Sequence, residues 1–341
     1  MIPETAVHGQ QDNVVGRRSA LRKMAGLAGA AMVLPLDARA ADFPSRPITL
    51  VVPYAPGATT DSLSRAVAEL MSRKLETPLL VDNKPGANSI IGAAFVANAA
   101  PDGYTMLLSS DSSNVLNPLL YKKLRYDVDR DLKPLTLLSD LPVVLVIDAR
   151  LPIQTLDDFV KYARANPNAV NYGSTGNGGT FHLAGELFAQ QAGIRMMHVP
   201  YKGGAPAIAA MLGGEVQALF GVIGSTLPHI RAGKLRAIAL AGRQRMPMLA
   251  EVPTFAEQGF PDFVVLVRYG LSLPAATPQP VVETLNDAAR FALADTEFRK
   301  KFEAQGFVVP VRSGPAEFKA LIESDKALWR DLIKRKGISL D

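Results

Sequence analysis

A short apolar run, a loop of Gly, Pro and hydroxyl residues, then a helical pattern: this unit recurs along the chain and confines it to alternating strands and helices. Ile48–Val52 is a continuous apolar run. Pro53-Tyr54-Ala55-Pro56-Gly57-Ala58-Thr59-Thr60-Asp61 follows it, and Leu63, Ala66, Val67, Leu70 and Met71 then fall on one helical face. Val170-Asn171-Tyr172 leads in the same way into Tyr172–His182, and Phe181, Leu183, Ala184, Leu187 and Phe188 follow as a helix. Val199-Pro200-Tyr201-Lys202-Gly203-Gly204-Ala205-Pro206 repeats the unit. Such an order predicts a parallel α/β sheet whose polar loops gather at the strands' C-terminal ends.

The segment Tyr172–His182 carries the most chemistry. Gly173, Gly176, Gly178 and Gly179 open φ > 0 to the backbone and let it approach a ligand closely. Thr180 is placed to cap the helix, whose free N–H groups and dipole suit an anion. Gly173 to Thr180 has the spacing of a Walker A loop, but Gly179 stands where the lysine belongs. The segment therefore suits a small anion such as a carboxylate rather than a nucleoside triphosphate.

A length of 341 residues suits about two domains. With 48% hydrophobic and 20% charged residues, the composition is that of a soluble globular protein. The net charge of +5 includes an excess in residues 1–40, where Arg17, Arg18, Arg22, Lys23 and Arg39 face Glu4, Asp12 and Asp37. What remains gives no reason to expect nucleic acid, and no Lys/Arg cluster is interleaved with aromatics. With no cysteine, disulfides, thiol catalysis and thiolate metal sites are excluded.

Residues 1–40 have the form of an export signal: a basic stretch with a twin arginine, the apolar run Met24–Leu36, and the small-x-small site Ala38-Arg39-Ala40 before Ala41. The run is too short to span a bilayer. Ala20, two residues after the arginine pair, leaves the general secretory and twin-arginine routes both open. The expected location is the periplasm, with cleavage near Ala40/Ala41.

Further elements follow from periodicity. Leu79–Val81 and Tyr104–Ser110 read as strands, Asn83–Ser89 as a turn with a cap, and Ile90–Ala99 as a helix. Ser109–Asn114 is a polar loop, and Asp127–Asp140 reads as charged loop. Pro142–Ile147 and Phe263–Leu271 are apolar runs suited to cross between two domains. Thr155 caps a helix reaching Ala165, and Val281–Ala294, Thr296–Gln305 and Pro315–Lys336 close the chain as helices.

Enzyme chemistry finds little support. His8, His182, His198 and His229 are isolated, with no His-x-x-x-His, so neither a metal nor a cofactor is expected. Gly-x-Ser-x-Gly is absent. Ser174 with His182 leaves a serine-dependent esterase or hydrolase as the alternative. Arg268, charged within an apolar run, reads either as a solvated head at a domain junction or as a bidentate carboxylate partner. Asp61 reads either as a helix cap or as a residue that orients the loop or meets a ligand amine or hydroxyl.

Taken together, the leader, Ile48–Asp61, Asn83-Lys84-Pro85-Gly86-Ala87, Tyr172–His182, Val199–Pro206 and Val252-Pro253-Thr254-Phe255 resemble the solute-binding receptors of tripartite tricarboxylate transporters, the Bug-type receptors. The resemblance spans residues 42–341. It implies a periplasmic binding protein with two α/β lobes joined by crossing strands: residues 41–143 with 266–341, and residues 144–265. A cleft between the lobes would hold a small organic carboxylate through Tyr54–Asp61 and Ser174–His182, for delivery to membrane subunits by a monomeric, non-enzymatic receptor. The residues expected at the ligand are Tyr54, Ala55, Pro56, Gly57, Ala58, Thr59, Asp61, Asn88, Ser89, Ser110, Ser174, Gly176, Gly178, Thr180, His182, Tyr201, Gly203 and Arg268. The chain departs from the family pattern at Gly57-Ala58, where Gly-Gly is common. It also departs at Ala209-Ala210, where an acid is common, and at Arg268-Tyr269, near a common tryptophan.

Overall fold

The structure, a computed structural model, describes residues 43–57, 59–167 and 169–340. The export segment 1–40, the cleavage position at Ala40/Ala41 and the expected ligand residue Ala58 lie outside the described residues. The fold is mixed α/β. Its strands are β1 (Ile48–Val52), β2 (Leu79–Asn83), β3 (Thr105–Ser110), β4 (Leu132–Asp148), β5 (Asn171–Ser174), β6 (Met197–Pro200), β7 (Ala218–Val222), β8 (Leu235–Leu240) and β9 (Leu266–Pro274). The longer helices are α1 (Thr59–Leu75), α2 (Ile90–Ala97), α3 (Leu156–Ala165), α4 (Thr180–Ala192), α5 (Gly204–Gly213), α6 (Ile223–Arg231), α7 (Gln279–Ala294), α8 (Thr296–Glu303) and α9 (Pro315–Lys336).

The strands lie in the order β2-β1-β3-β9-β4-β7-β5-β6, with β8 also on β4. Two parallel groups form, β2-β1-β3 and β7-β5-β6. The pairings of β9 with β3 and of β4 with β9, β7 and β8 are antiparallel. The expected parallel sheet is therefore realised in two pieces, joined by antiparallel strands. The join is β4, whose Leu132–Pro142 pair with β9 and whose Val143–Ile147 pair with β7. Residues 132–140, expected as loop, belong to this strand. Lys133, Pro134 and Asp140 disguised it, yet Leu132, Leu135, Leu137 and Leu138 are buried. The register shifts between Pro134 and Thr136, where a residue without an N–H interrupts the ladder.

Local signals explain most helix boundaries. Thr155 caps α3 in a full capping box with Asp158, as its position predicts. Gly337 ends α9 in the left-handed conformation. Two expected caps differ. Thr180 is the first residue of α4, after Gly179, and Ser89 precedes α2 at φ 73° without a side-chain cap bond. An aromatic cluster of Phe188, Phe255 and Phe263 anchors α4 to the segment leading into β9.

Close packing around the β4–β9 pair leaves room for glycine alone at Gly270. A Cβ there would fall 2.7 Å from the Thr136 carbonyl oxygen and strike the Phe318 ring. Gly270→Ala should destabilise the fold by about 1–3 kcal/mol, the usual cost of overpacking. Gly213→Ala, at the open end of α5 with nothing within 4 Å, should be neutral or slightly stabilising. Urea denaturation of both variants tests the contrast, and equal midpoints would refute it.

Candidate functional site

The loop leaving β1 turns at Gly57, whose φ is 82°. The Gly57 N–H donates to Asp61 Oδ2 at 3.0 Å, and Asp61 also accepts from Arg65 Nε and Asn83 Nδ2, both at 3.0 Å. These donors, Arg65 first, hold the buried Asp61 carboxyl down to about 2. Asp61 thus orients the loop, with three donors already on its carboxylate. Tyr54 lies deeper. Its hydroxyl donates to Ser110 Oγ at 2.8 Å, its ring meets Tyr269 edge-on at 6.1 Å, and burial pushes its phenol up to about 12. It remains a neutral donor at every physiological pH.

Two further segments join Tyr54. Ala87, Asn88 and Ser89 all have φ between 45° and 73°, which non-glycine residues seldom adopt. Reciprocal bonds with Asn117, at 2.9 and 2.7 Å, hold Asn88 there. Beyond β3, Asp111 is buried at 6% exposure, and Ser112–Leu116 form a single π-helical stretch.

The glycine-rich loop after β5 is tied from beneath. Ser174 Oγ lies 2.6 Å from His198 Nε2 and accepts from the Gly176 N–H at 3.1 Å. His182 Nδ1 accepts from the Gly178 N–H at 3.0 Å, so this nitrogen carries no proton. The two imidazoles stack with centroids 3.9 Å apart. Burial, then the neighbouring His182, pushes His198 down to about 4, and burial lowers His182 as well. Tyr172, whose hydroxyl donates to Glu186 Oε1 at 2.9 Å, closes the layer.

The loops face one cavity of about 440 Å³. Tyr54, Asn88, Asp111, Ser112 and Tyr269 line it from the β1-β3-β9 side. Thr175, Gly176, Asn177, Gly179, Thr180 and Phe181 line it from the α4 side. The Thr180 hydroxyl donates to Asp111 Oδ2 across it. Thr180 and Phe181, as the first residues of α4, have N–H groups without an intrahelical partner.

Of the residues expected at the ligand, Tyr54, Asn88, Gly176 and Thr180 are on this wall. Ala55, Pro56, Gly57 and Thr59 are exposed and are not among its lining residues. Ser89, Ser110, Ser174 and His182 form the layer behind it. Gly178 is needed for packing instead: at φ 71°, a Cβ would come within 2.9 Å of Leu120 and collide with Leu340. Tyr201 and Gly203 lie off the wall. The Tyr201 hydroxyl donates to Glu215 at 3.3 Å, and Gly203 precedes α5. Arg268 is ion-paired with Asp140 (3.1 Å) and Asp325 and does not line the cavity, so it is not a lone cation facing a ligand. The proposed Ser174–His182 dyad does not form either, because Ser174 pairs with His198. The wall residues outside the expected set include Asp111, Asn177, Phe181 and Tyr269. The Ser109–Asn114 polar row held Asp111 in plain view, and Tyr269 sat beside the charged outlier Arg268.

Residues 63–338 match the model of the tripartite tricarboxylate transporter family receptor. The chain belongs to this receptor family. BugT of Bordetella pertussis is 34% identical over 92% of this chain and 96% of its own length. A solved R. palustris protein, Rpa4515 with adipate, is 31% identical with a TM-score of 0.78, covering 87% of this chain and 99% of that one. MatC from Rhodopseudomonas palustris with bound malate is 31% identical with a TM-score of 0.75, covering 85% and 100%.

In this receptor the stacked imidazoles give a pH signature. His198 has a folded pKa below its unfolded value near 6.5, so the unfolded chain binds the proton first. Its contribution is complete above about pH 6.5 and is lost as the pH falls towards 4. Melting temperature should therefore fall less between pH 7 and 5 in His198→Gln than in the wild type. Parallel pH profiles would disprove the assignment.

Proposed function

We propose that this chain is an extracytoplasmic receptor that binds a small organic carboxylate in the cavity between β1-β3-β9 and the start of α4. One observation carries the reading. The first N–H groups of α4 and a glycine-rich loop face the same cavity as Tyr54 and Asn88, from the loops of the other parallel group, and Tyr269 of β9. A helix start seats an anion, Asn88 brings an amide, and the tyrosine rings offer apolar faces for the rest of the molecule. The adipate and malate of the solved relatives belong to the same chemical class.

The lobes in this reading are residues 41–143 with 266–341, and residues 144–265. The change of partner along β4 at Pro142/Val143 supports that division. Ligand contact with both lobes would favour a closed form by its differential affinity, and membrane subunits of a tripartite transporter would read that form. The receptor acts as a monomer in the periplasm, after removal of residues 1–40, and without a cofactor. On this reading it catalyses no reaction, in keeping with the full burial of Ser174 and with no carboxylate hydrogen bonded to His198 among the described residues.

A thermal-shift screen over mono-, di- and tricarboxylates, aromatic acids and amino acids should find an acid that stabilises the protein. At one hundred times its Kd the gain is about 2.7 kcal/mol. The corresponding amides should give no shift, and absence of a shift with every acid would sink the reading. Gly179→Val then tests the seat. Gly179 has an ordinary φ of −77° and a Cβ there meets nothing closer than 3.8 Å, so the fold tolerates the change while the cavity fills. Calorimetry should show binding weakened by about tenfold or more, or about 1.4 kcal/mol, at an unchanged melting temperature. Unchanged affinity would move the ligand elsewhere.

A further inference from the structure

Asp111 is the carboxyl in the cavity wall, and its surroundings leave its charge without a dedicated cation. It is 6% exposed. Its Oδ2 accepts from the Thr180 hydroxyl, and the Ser112 backbone N–H supplies a further bond. The charged groups nearest to it are Arg268, which is engaged by Asp140 and Asp325, and Asp325 itself, which repels it. The tyrosines that face it, Tyr54 and Tyr269, are neutral because burial raises both phenols. Burial first, then Asp325, pushes the Asp111 carboxyl up to about 7. A buried carboxyl of this kind is stabilised by any partner that offers it a proton or a positive charge.

The position of Asp111 decides which part of a ligand it meets. Thr180 touches Asp111 with its hydroxyl and opens α4 with its backbone N–H. The anion seat and the Asp111 oxygens are therefore separated by the length of one threonine side chain. A carboxylate on the seat brings its neighbouring carbon, and whatever that carbon carries, alongside Asp111. We infer that Asp111 makes this receptor select carboxylates that bear a hydrogen-bond donor on the adjacent carbon, α-hydroxy or α-amino acids, over their unsubstituted parents. The inference rests on the carboxylate reading above and adds the substituent to it.

Calorimetry of the full chain with succinate, malate and aspartate, and with propionate, lactate and alanine, tests it. Within each series only the substituent changes. In whichever series binds, the hydroxy or amino member should bind at least about tenfold tighter than the parent, the discrimination expected when a buried polar group is otherwise left unpaired. Asp111→Ala should bring that ratio close to one. The near-isosteric Asp111→Asn keeps an acceptor and drops the charge, so it should retain a preference for hydroxyl and lose a preference for ammonium, which tells the two substituents apart. Circular dichroism and melting confirm that both variants fold, and the wild-type ratio stands as a test without either. A wild-type ratio near one, or a ratio that survives in Asp111→Ala, overturns the inference and leaves the carboxylate reading intact. Failure of all six acids to bind the wild type also overturns the inference, while the carboxylate reading is decided by the wider thermal-shift screen.

Discussion

The cavity exists because β4 and β9 pair antiparallel along Leu132–Pro142 and Leu266–Pro274. That ladder sits between the two parallel groups and sets their separation. On one side it carries β3, and with it Asp111 at the strand's end. On the other, β4 runs on into its pairing with β7, beside β5 and the glycine-rich loop. Tyr269, on β9, brings its ring against Tyr54 at the floor of the space. Gly270 next to it lets the Phe318 ring approach the ladder, so the pairing that builds the cavity also binds α9 to the sheet. Backbone pairings between residues more than a hundred apart in sequence, β3 with β9 and β4 with β9, thus set the frame of the cavity.

Around that frame, charge is handled by burial and pairing rather than by a cation on the wall. Arg268 is neutralised by Asp140 and Asp325 behind the cavity. Asp61 accepts from Gly57, Arg65 and Asn83, and so holds the first loop in shape. His182 and His198 are kept neutral by burial and support the second loop from below. The wall itself offers N–H groups, hydroxyls, two amides and one carboxyl. Such a surface recognises an anion by directional donors, which cost less to desolvate than a fixed ion pair.

Periodicity and punctuation made the element order readable. The strands at Ile48–Val52 and Thr105–Ser110, the N-cap at Thr155 and the helix over Pro315–Lys336 all stand close to where their local patterns put them. The strand over 132–140 was hidden because its apolar residues are interrupted by Lys133, Pro134 and Asp140, and its partner lies far away in sequence. Thr180 read as a cap because hydroxyls favour that position. In the fold Gly179 takes it, and the freed hydroxyl turns to Asp111.

The amino-acid sequence by itself determined the α/β alternation, the loops at the ends of β1 and β5, and the anion-seeking start of α4, because each follows from residues within about ten positions of one another. Which of those residues reach a ligand was decided only in three dimensions. Gly178 and Gly176 look alike in the chain, yet one packs on Leu120 and Leu340 and the other borders the cavity. Arg268 and Asp111 are both charges within or beside apolar runs, but the arginine finds two acids and the aspartate finds a threonine from across the cavity. Partnership of this kind depends on distances set by strand pairing, and local sequence holds no record of them.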